Sequence, residues 1–128
     1  MSPPRLYHLL PSRSTRVLWM LEEIGAPYEL EVMQGPDRQT DEHRERHPLG
    51  RVPVIEDDGA FLIESAAIVL SLADRHPEAG LNYPLGTRER ELVYQWILFA
   101  VTEIDPYVVS ARDEREHDPE RSARAADR

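Results

Sequence analysis

The apolar positions of this chain change their period several times, and each change predicts a new element. Residues 5–10, Arg5-Leu6-Tyr7-His8-Leu9-Leu10, form a short apolar run bounded by prolines, which predicts a strand. After Pro11-Ser12-Arg13-Ser14, the residues Val17, Met20, Leu21 and Ile24 recur at i, i+3, i+4 and i+7 and draw one stripe on a helix. Gly25 supplies a left-handed C-terminal stop, and Pro27 prevents continuation. Residues 28–33 then alternate Tyr28, Leu30 and Val32 with Glu29 and Glu31, the period-two pattern of a half-buried strand. A strand, a helix and a strand in so few residues make a right-handed crossover the expected connection.

Residues 34–51 are polar, charged and punctuated by Gly35, Pro36, Pro48 and Gly50, which predicts an irregular excursion with at most a short helix. Two apolar runs follow, 52–55 and 60–63, separated by Glu56-Asp57-Asp58-Gly59; Asp-Gly at that position is a hairpin signal. Glu64-Ser65 precede an apolar helix from Ala66 to Arg75, with Ser65 expected to cap it and His76-Pro77 to end it. Residues 78–86 read as a linker. Beyond it, Val93, Trp96, Ile97, Ala100, Val101 and Ile104 form the longest helical stripe, which Pro106 is expected to kink or stop. From 111 to 128 charge dominates, with a second helix start expected near Asp118-Pro119-Glu120.

Composition narrows the classes of function. At 128 residues there is room for one small domain with an appendage. No apolar run approaches bilayer-spanning length, so no membrane association is expected. The N-terminus lacks the marks of a secretory signal, and a soluble cytoplasmic protein is the plain expectation. With no cysteine, the chain can hold neither a disulfide nor a dithiol redox pair, which excludes thioredoxin-type oxidoreduction. The net charge of −9 argues against nucleic-acid partners. Every basic residue is arginine, whose planar fork suits small carboxylates. The five histidines show no paired metal-ligand spacing and are expected on the surface or packed against strands. Glu56-Asp57-Asp58 reads as a turn, so no metal site is expected.

The order of elements matches a thioredoxin-like domain, and four segments resemble the glutathione transferase family. They are Ser12-Arg13-Ser14-Thr15-Arg16-Val17-Leu18-Trp19 running into Leu21-Glu22-Glu23-Ile24-Gly25; Pro27-Tyr28-Glu29; His47-Pro48-Leu49-Gly50-Arg51-Val52-Pro53-Val54-Ile55; and Glu64-Ser65-Ala66-Ala67-Ile68. Each is weak alone, but their order and spacing are specific. The likeness covers roughly residues 5–110 and is closest to bacterial and fungal members with an active-site serine.

The resemblance implies an α/β fold of the βαβ-ββα type, a four-stranded mixed sheet with flanking helices, over residues 1–78. Residues 79–86 would be a linker, and 87–128 the opening of an all-helical domain. It further implies a cis bond at Val52-Pro53, with the main chain of Val52 gripping the cysteinyl unit of glutathione as an added strand does. Ser65 and its amide would hold the γ-glutamyl carboxylate at a helix N-terminus, with Glu64 facing the ammonium group. Arg51 is the candidate clamp for the glycyl carboxylate. A serine hydroxyl would stabilise the thiolate; Ser12 matches the theta-like position, while Ser14 is the alternative or a helix cap. The implied function is transfer of glutathione to a small electrophile in a homodimer; the resemblance does not choose between conjugation, peroxide reduction and isomerisation as the reaction. A non-catalytic binding or regulatory module is the other reading. In the family the electrophile's pocket also needs later helices, so the chain is expected to be part of a longer protein or to self-associate over its apolar stripe.

Overall fold

A four-residue strand, Arg5–His8 (β1), is central to the fold, and both its faces are covered. Leu6 is buried on one face with Val17, Leu21, Ile55, Ile68 and Leu72. Tyr7 is buried on the other with Met33, Val52 and Val54. The computed structural model describes residues 2–117, so the helix start expected at Asp118-Pro119-Glu120 lies outside the described residues.

The helix Ser14–Ile24 (α1) follows β1 and ends at Gly25, whose amide bonds the Leu21 carbonyl at 3.0 Å. The chain returns as Glu29–Val32 (β2), parallel to β1, completing the expected crossover. Val54–Asp57 (β3) and Ala60–Ile63 (β4) form the hairpin, and β3 pairs antiparallel with β1. Asp58 and Gly59 at the tip have φ of 49° and 76°, so both central residues are left-handed, as a tight hairpin turn requires. The strand order is β2-β1-β3-β4. Ser65–Arg75 (α3) packs with α1 over the Leu6 face. The architecture is therefore the expected βαβ-ββα mixed sheet with flanking helices.

The half-buried pattern expected of β2 is not found. All four of its residues are exposed, Leu30 and Val32 included. The reason is position: β2 is an edge strand, and the burial falls just outside it, on Tyr28 and Met33. Between β2 and β3 the excursion contains a 3-10 turn, Gly35–Gln39, and a short helix, Asp41–Arg46 (α2). Thr40 caps α2 by accepting the amide of His43 at 3.2 Å.

The chain divides into two compact units, the first running to Tyr83 and the second beginning at Pro84. The division falls inside the 79–86 stretch. In the second unit Arg88–Phe99 (α4) is capped by Thr87 and leads through a π turn, Ala100–Ile104, into Asp105–His117 (α5). Pro106 therefore neither stops nor ends the helix. Its missing N–H falls directly after the π turn, where the amide of Asp105 has already switched to the carbonyl of Ala100, five residues back. Continuity has a consequence for the expected absence of a membrane-length segment. The helical stretch from Arg88 to Arg112 is 25 residues and, by length and composition, sufficient to cross a bilayer.

One glycine sets the approach of two loops. Gly50 closes the turn from His47, its amide bonding the His47 carbonyl at 2.8 Å, and has φ +61°. A Cβ there would lie 2.5 Å from the Arg38 carbonyl oxygen, a main-chain atom that cannot swing aside. Gly50→Ala should therefore lose more than the roughly 1–2 kcal/mol of a left-handed alanine. Urea unfolding monitored by circular dichroism checks this, with Gly35→Ala, which meets nothing within 4 Å, as the mild control.

Candidate functional site

Strand pairing brings the sequence-predicted residues to one end of the sheet. β1 and β3 are antiparallel with Tyr7 opposite Val54, so the chain leaving β1 runs beside the chain entering β3. β3 and β4 are antiparallel with Val54 opposite Ile63, so Glu64-Ser65 emerge at the same end. The start of α1, the Val52-Pro53 step and the start of α3 converge there. A side-chain bond ties two of them: Arg16 of α1 donates from Nη1 to Ser65 Oγ at 3.3 Å.

The Val52–Pro53 bond is cis, as the resemblance implies, and so is Leu10–Pro11, which no sequence feature had singled out. Val52 and Pro53 are buried, whereas Arg51 is exposed. The main chain of Arg51 is held from behind: His43 Nε2 donates to its carbonyl at 2.8 Å, which fixes the proton on that nitrogen. His43 is fully buried and packs its ring against Tyr7. His47 is buried too, its Nδ1 accepting the amide of Leu49 at 3.1 Å. Burial pushes the His47 pKa down, partly opposed by the negative charge of Glu64 nearby. His8, on β1, is buried as well, so among the described residues His8, His43 and His47 are interior.

The two serines, interchangeable by spacing, are placed very differently. Ser14 is fully buried in the first turn of α1. Its Oγ accepts the Leu9 amide at 3.1 Å and lies 2.7 Å from His8 Nδ1, 2.5 Å from Ser12 Oγ and 3.2 Å from the Leu9 carbonyl. Ser14 therefore does not cap α1; its hydroxyl is turned back into β1. The free amide of Ser14 is instead met by Ser12 Oγ at 3.1 Å. Ser12 is half-buried, so its hydroxyl is the one within reach of a ligand. Burial alone lowers the pKa of His8.

Ser65 is likewise not the cap of α3. It is the first helical residue, buried, with its hydroxyl engaged by Arg16. The cap position belongs to Glu64, at φ 71° and ψ 111°, and no side chain caps the helix. A non-glycine residue in that region costs on the order of 1–3 kcal/mol and marks a place where the surroundings over-determine the backbone. Glu64 is exposed. Arg16, to which the sequence reading assigns no role, is the residue whose structural part was missed. A cavity of about 400 Å³ lies elsewhere, lined by Arg5, Tyr7, Met33, Glu42 and Arg46, and includes none of the predicted site residues. Among the described residues, no cluster of three or more His, Asp or Glu could hold a metal ion.

A mixed sheet in this order, with a cis-proline entering β3 and helices starting at the same end, defines a thioredoxin-like domain. The family described as glutathione S-transferase, N-terminal domain, matches residues 6–80, and the chain belongs to the glutathione S-transferase family. Glutathione S-transferase 3 of Schizosaccharomyces pombe is 36% identical over 104 residues, covering 80% of this chain and 43% of that protein. A glutathione transferase crystal structure from Methylococcus capsulatus superposes with a TM-score of 0.72 at 34% identity, covering 79% of this chain and 52% of the other. A theta-class glutathione S-transferase from Xanthomonas axonopodis pv. citri, with glutathione bound, gives 0.73 at 29% identity, covering 83% and 52%. The chain thus spans about half the length of the relatives it matches.

Two outcomes test the placement of the buried groups. Ser14→Ala strands the Leu9 amide and should cost about 1–3 kcal/mol in urea unfolding, while Ser12→Ala should cost less. Because burial lowers the pKa of His8 and His47, the unfolded chain binds protons first as the pH falls. Their part of the stability should be constant above the ordinary histidine value of 6.5, decline as the pH drops toward the lower folded values, and level off beneath them. A series of melts from pH 8 to pH 5 should show that decline, and His8→Asn should make it shallower.

Proposed function

We propose that the chain binds glutathione where the three segments converge and activates its thiol for transfer to a small electrophile, as a soluble, cytoplasmic, dimeric transferase. The observation that carries the reading is the convergence itself. A half-buried Ser12 hydroxyl at the start of α1 shares one sheet end with the cis Val52–Pro53 step and the uncapped start of α3. In this reading the main chain of Val52 pairs with the cysteinyl unit beside Pro53. Ser65 and the first-turn amides of α3 take the γ-glutamyl carboxylate, which the helix dipole favours. Glu64 faces the ammonium group, and Arg51 the glycyl carboxylate. The Xanthomonas relative of similar fold, crystallised with glutathione, supports the ligand.

The reacting group is the substrate's own thiol, since the protein has no cysteine. A hydroxyl that donates to sulfur stabilises only the thiolate, and a hydrogen bond to a charged group contributes roughly 1.5–3 kcal/mol. At 1.36 kcal/mol per unit, that lowers the thiol pKa by about one to two units. The positive end of α1 adds up to about 1 kcal/mol. The thiolate can then form near neutral pH and attack the electrophile. Exposed Trp96, Leu98, Tyr107 and Val108 on α4 and α5 support the dimer, since large apolar patches seldom stay bare.

Retention on immobilised glutathione followed by turnover of a generic aryl halide tests the two halves of the proposal separately. Ser65→Ala should lose retention. Ser12→Ala should be retained but lose roughly 10- to 100-fold in kcat/KM. Retention without turnover by the parent chain would make it a binding module. No retention would overturn the assigned site.

A further inference from the structure

The hydroxyl contacts around Ser14 form a chain whose direction is set at its buried end. A serine hydroxyl offers one proton and two lone pairs. One lone pair of Ser14 Oγ is taken by the Leu9 amide at 3.1 Å. Its two closest neighbours are His8 Nδ1 at 2.7 Å and Ser12 Oγ at 2.5 Å, and it has one lone pair and one proton left for them. The Leu9 carbonyl, at 3.2 Å, is the longest of these contacts, whereas at 2.5 and 2.7 Å each nearer atom needs a proton between it and Ser14 Oγ. The single Ser14 proton therefore goes to one of those two and the other donates in return, so the two bonds run in the same direction along the chain. Ser12 Oγ also accepts the Ser14 amide at 3.1 Å.

Two arrangements result. If His8 carries its proton on Nδ1, it donates to Ser14, and Ser14 donates to Ser12. Both lone pairs of Ser12 are then filled, and the only capacity left to it is its own proton, directed at a ligand. If His8 carries its proton on Nε2, the bare Nδ1 draws the proton of Ser14, and Ser14 in turn draws that of Ser12. Ser12 then has no proton to give. We propose that His8 is the positioning residue of this site: held as the Nδ1–H tautomer beneath Ser14, it orients the hydroxyl chain so that Ser12 can act only as a donor to the thiolate.

The inference rests on the reading of Ser12 as the thiol's hydrogen-bond donor. His8 itself need not touch the ligand. Its side chain is 2% exposed, and burial pushes its pKa below the ordinary histidine value with no charged neighbour opposing, so the neutral ring prevails at pH 7 and its single proton must choose a nitrogen. Neutrality is what makes the device binary. A charged imidazole would carry protons on both nitrogens and would place a buried cation without a carboxylate partner.

Long-range ¹H–¹⁵N spectra of the ¹⁵N-labelled chain read the tautomer directly. The Nδ1 shift of His8 should be that of a protonated ring nitrogen at pH 7; an Nε2–H pattern overturns the proposal. The second readout is the pKa of glutathione's thiol when bound, followed by thiolate absorbance. His8→Phe removes the donor and should raise it by about one unit toward the free value, while retention on immobilised glutathione persists. His8→Asn, whose amide can donate in place of Nδ1–H, should restore most of the lowering. An unchanged thiol pKa in His8→Phe overturns the proposal. Should His8→Phe not fold, the tautomer measured in the parent chain decides. A parent chain that binds glutathione without lowering its thiol pKa would sink the role of Ser12, and the spectra would still report the direction of the chain.

Discussion

The pairing of β1 with β3 is the constraint on which the site depends. Each strand has only four residues, and a register slip of one would turn every side chain to the opposite face. Leu6 opposite Ile55 puts two apolar residues under α1 and α3, while Tyr7 opposite Val54 puts two more under the excursion. Both faces therefore vote for the same register. That register also brings the turn after β1 alongside the cis-proline step, and through β4 it brings the strained Glu64 to the same edge. Hydrophobic burial on two faces is thus what places the polar groups.

Those polar groups are held by a second tier of buried donors and acceptors. His43 fixes the carbonyl of Arg51 and His47 fixes the amide of Leu49, so the loop before Val52 is pinned at two main-chain points. Arg16 joins α1 to the first residue of α3. Buried hydrogen bonds of this kind contribute modestly when made and cost more when broken, which favours one loop geometry over many. Position matters more here than strength, because the site's chemistry consists of presenting main-chain groups and one hydroxyl to a ligand.

The helices, the hairpin and the crossover were legible because their signals are local: the 3.6-residue stripe from Val17 to Ile24, the Asp58-Gly59 pair and the two prolines after β1 and before β3. The convergence of Ser12, Val52 and Ser65 was legible only through the resemblance, since spacing along a chain does not say which ends of strands meet. What escaped was set by tertiary position. The alternation in β2 could not announce that its strand lies at an edge. Ser14 and Ser65 look like caps in sequence, yet each sits one residue inside its helix, with its hydroxyl claimed by His8 or Arg16. The histidines are expected on the surface or packed against strands, but which of them are interior follows no spacing rule, because they answer main-chain and hydroxyl groups.

The π turn between α4 and α5 carries a geometric consequence. Each π turn holds about one residue more than an α turn, and one residue is about 100° of rotation about the axis. The row begun by Val93 and Trp96 therefore does not continue in line through Tyr107 and Val108, but resumes displaced around the cylinder. A straight neighbouring rod could follow one half of this helix or the other, not both. Whatever shelters the two rows must curl around the axis or come in two pieces.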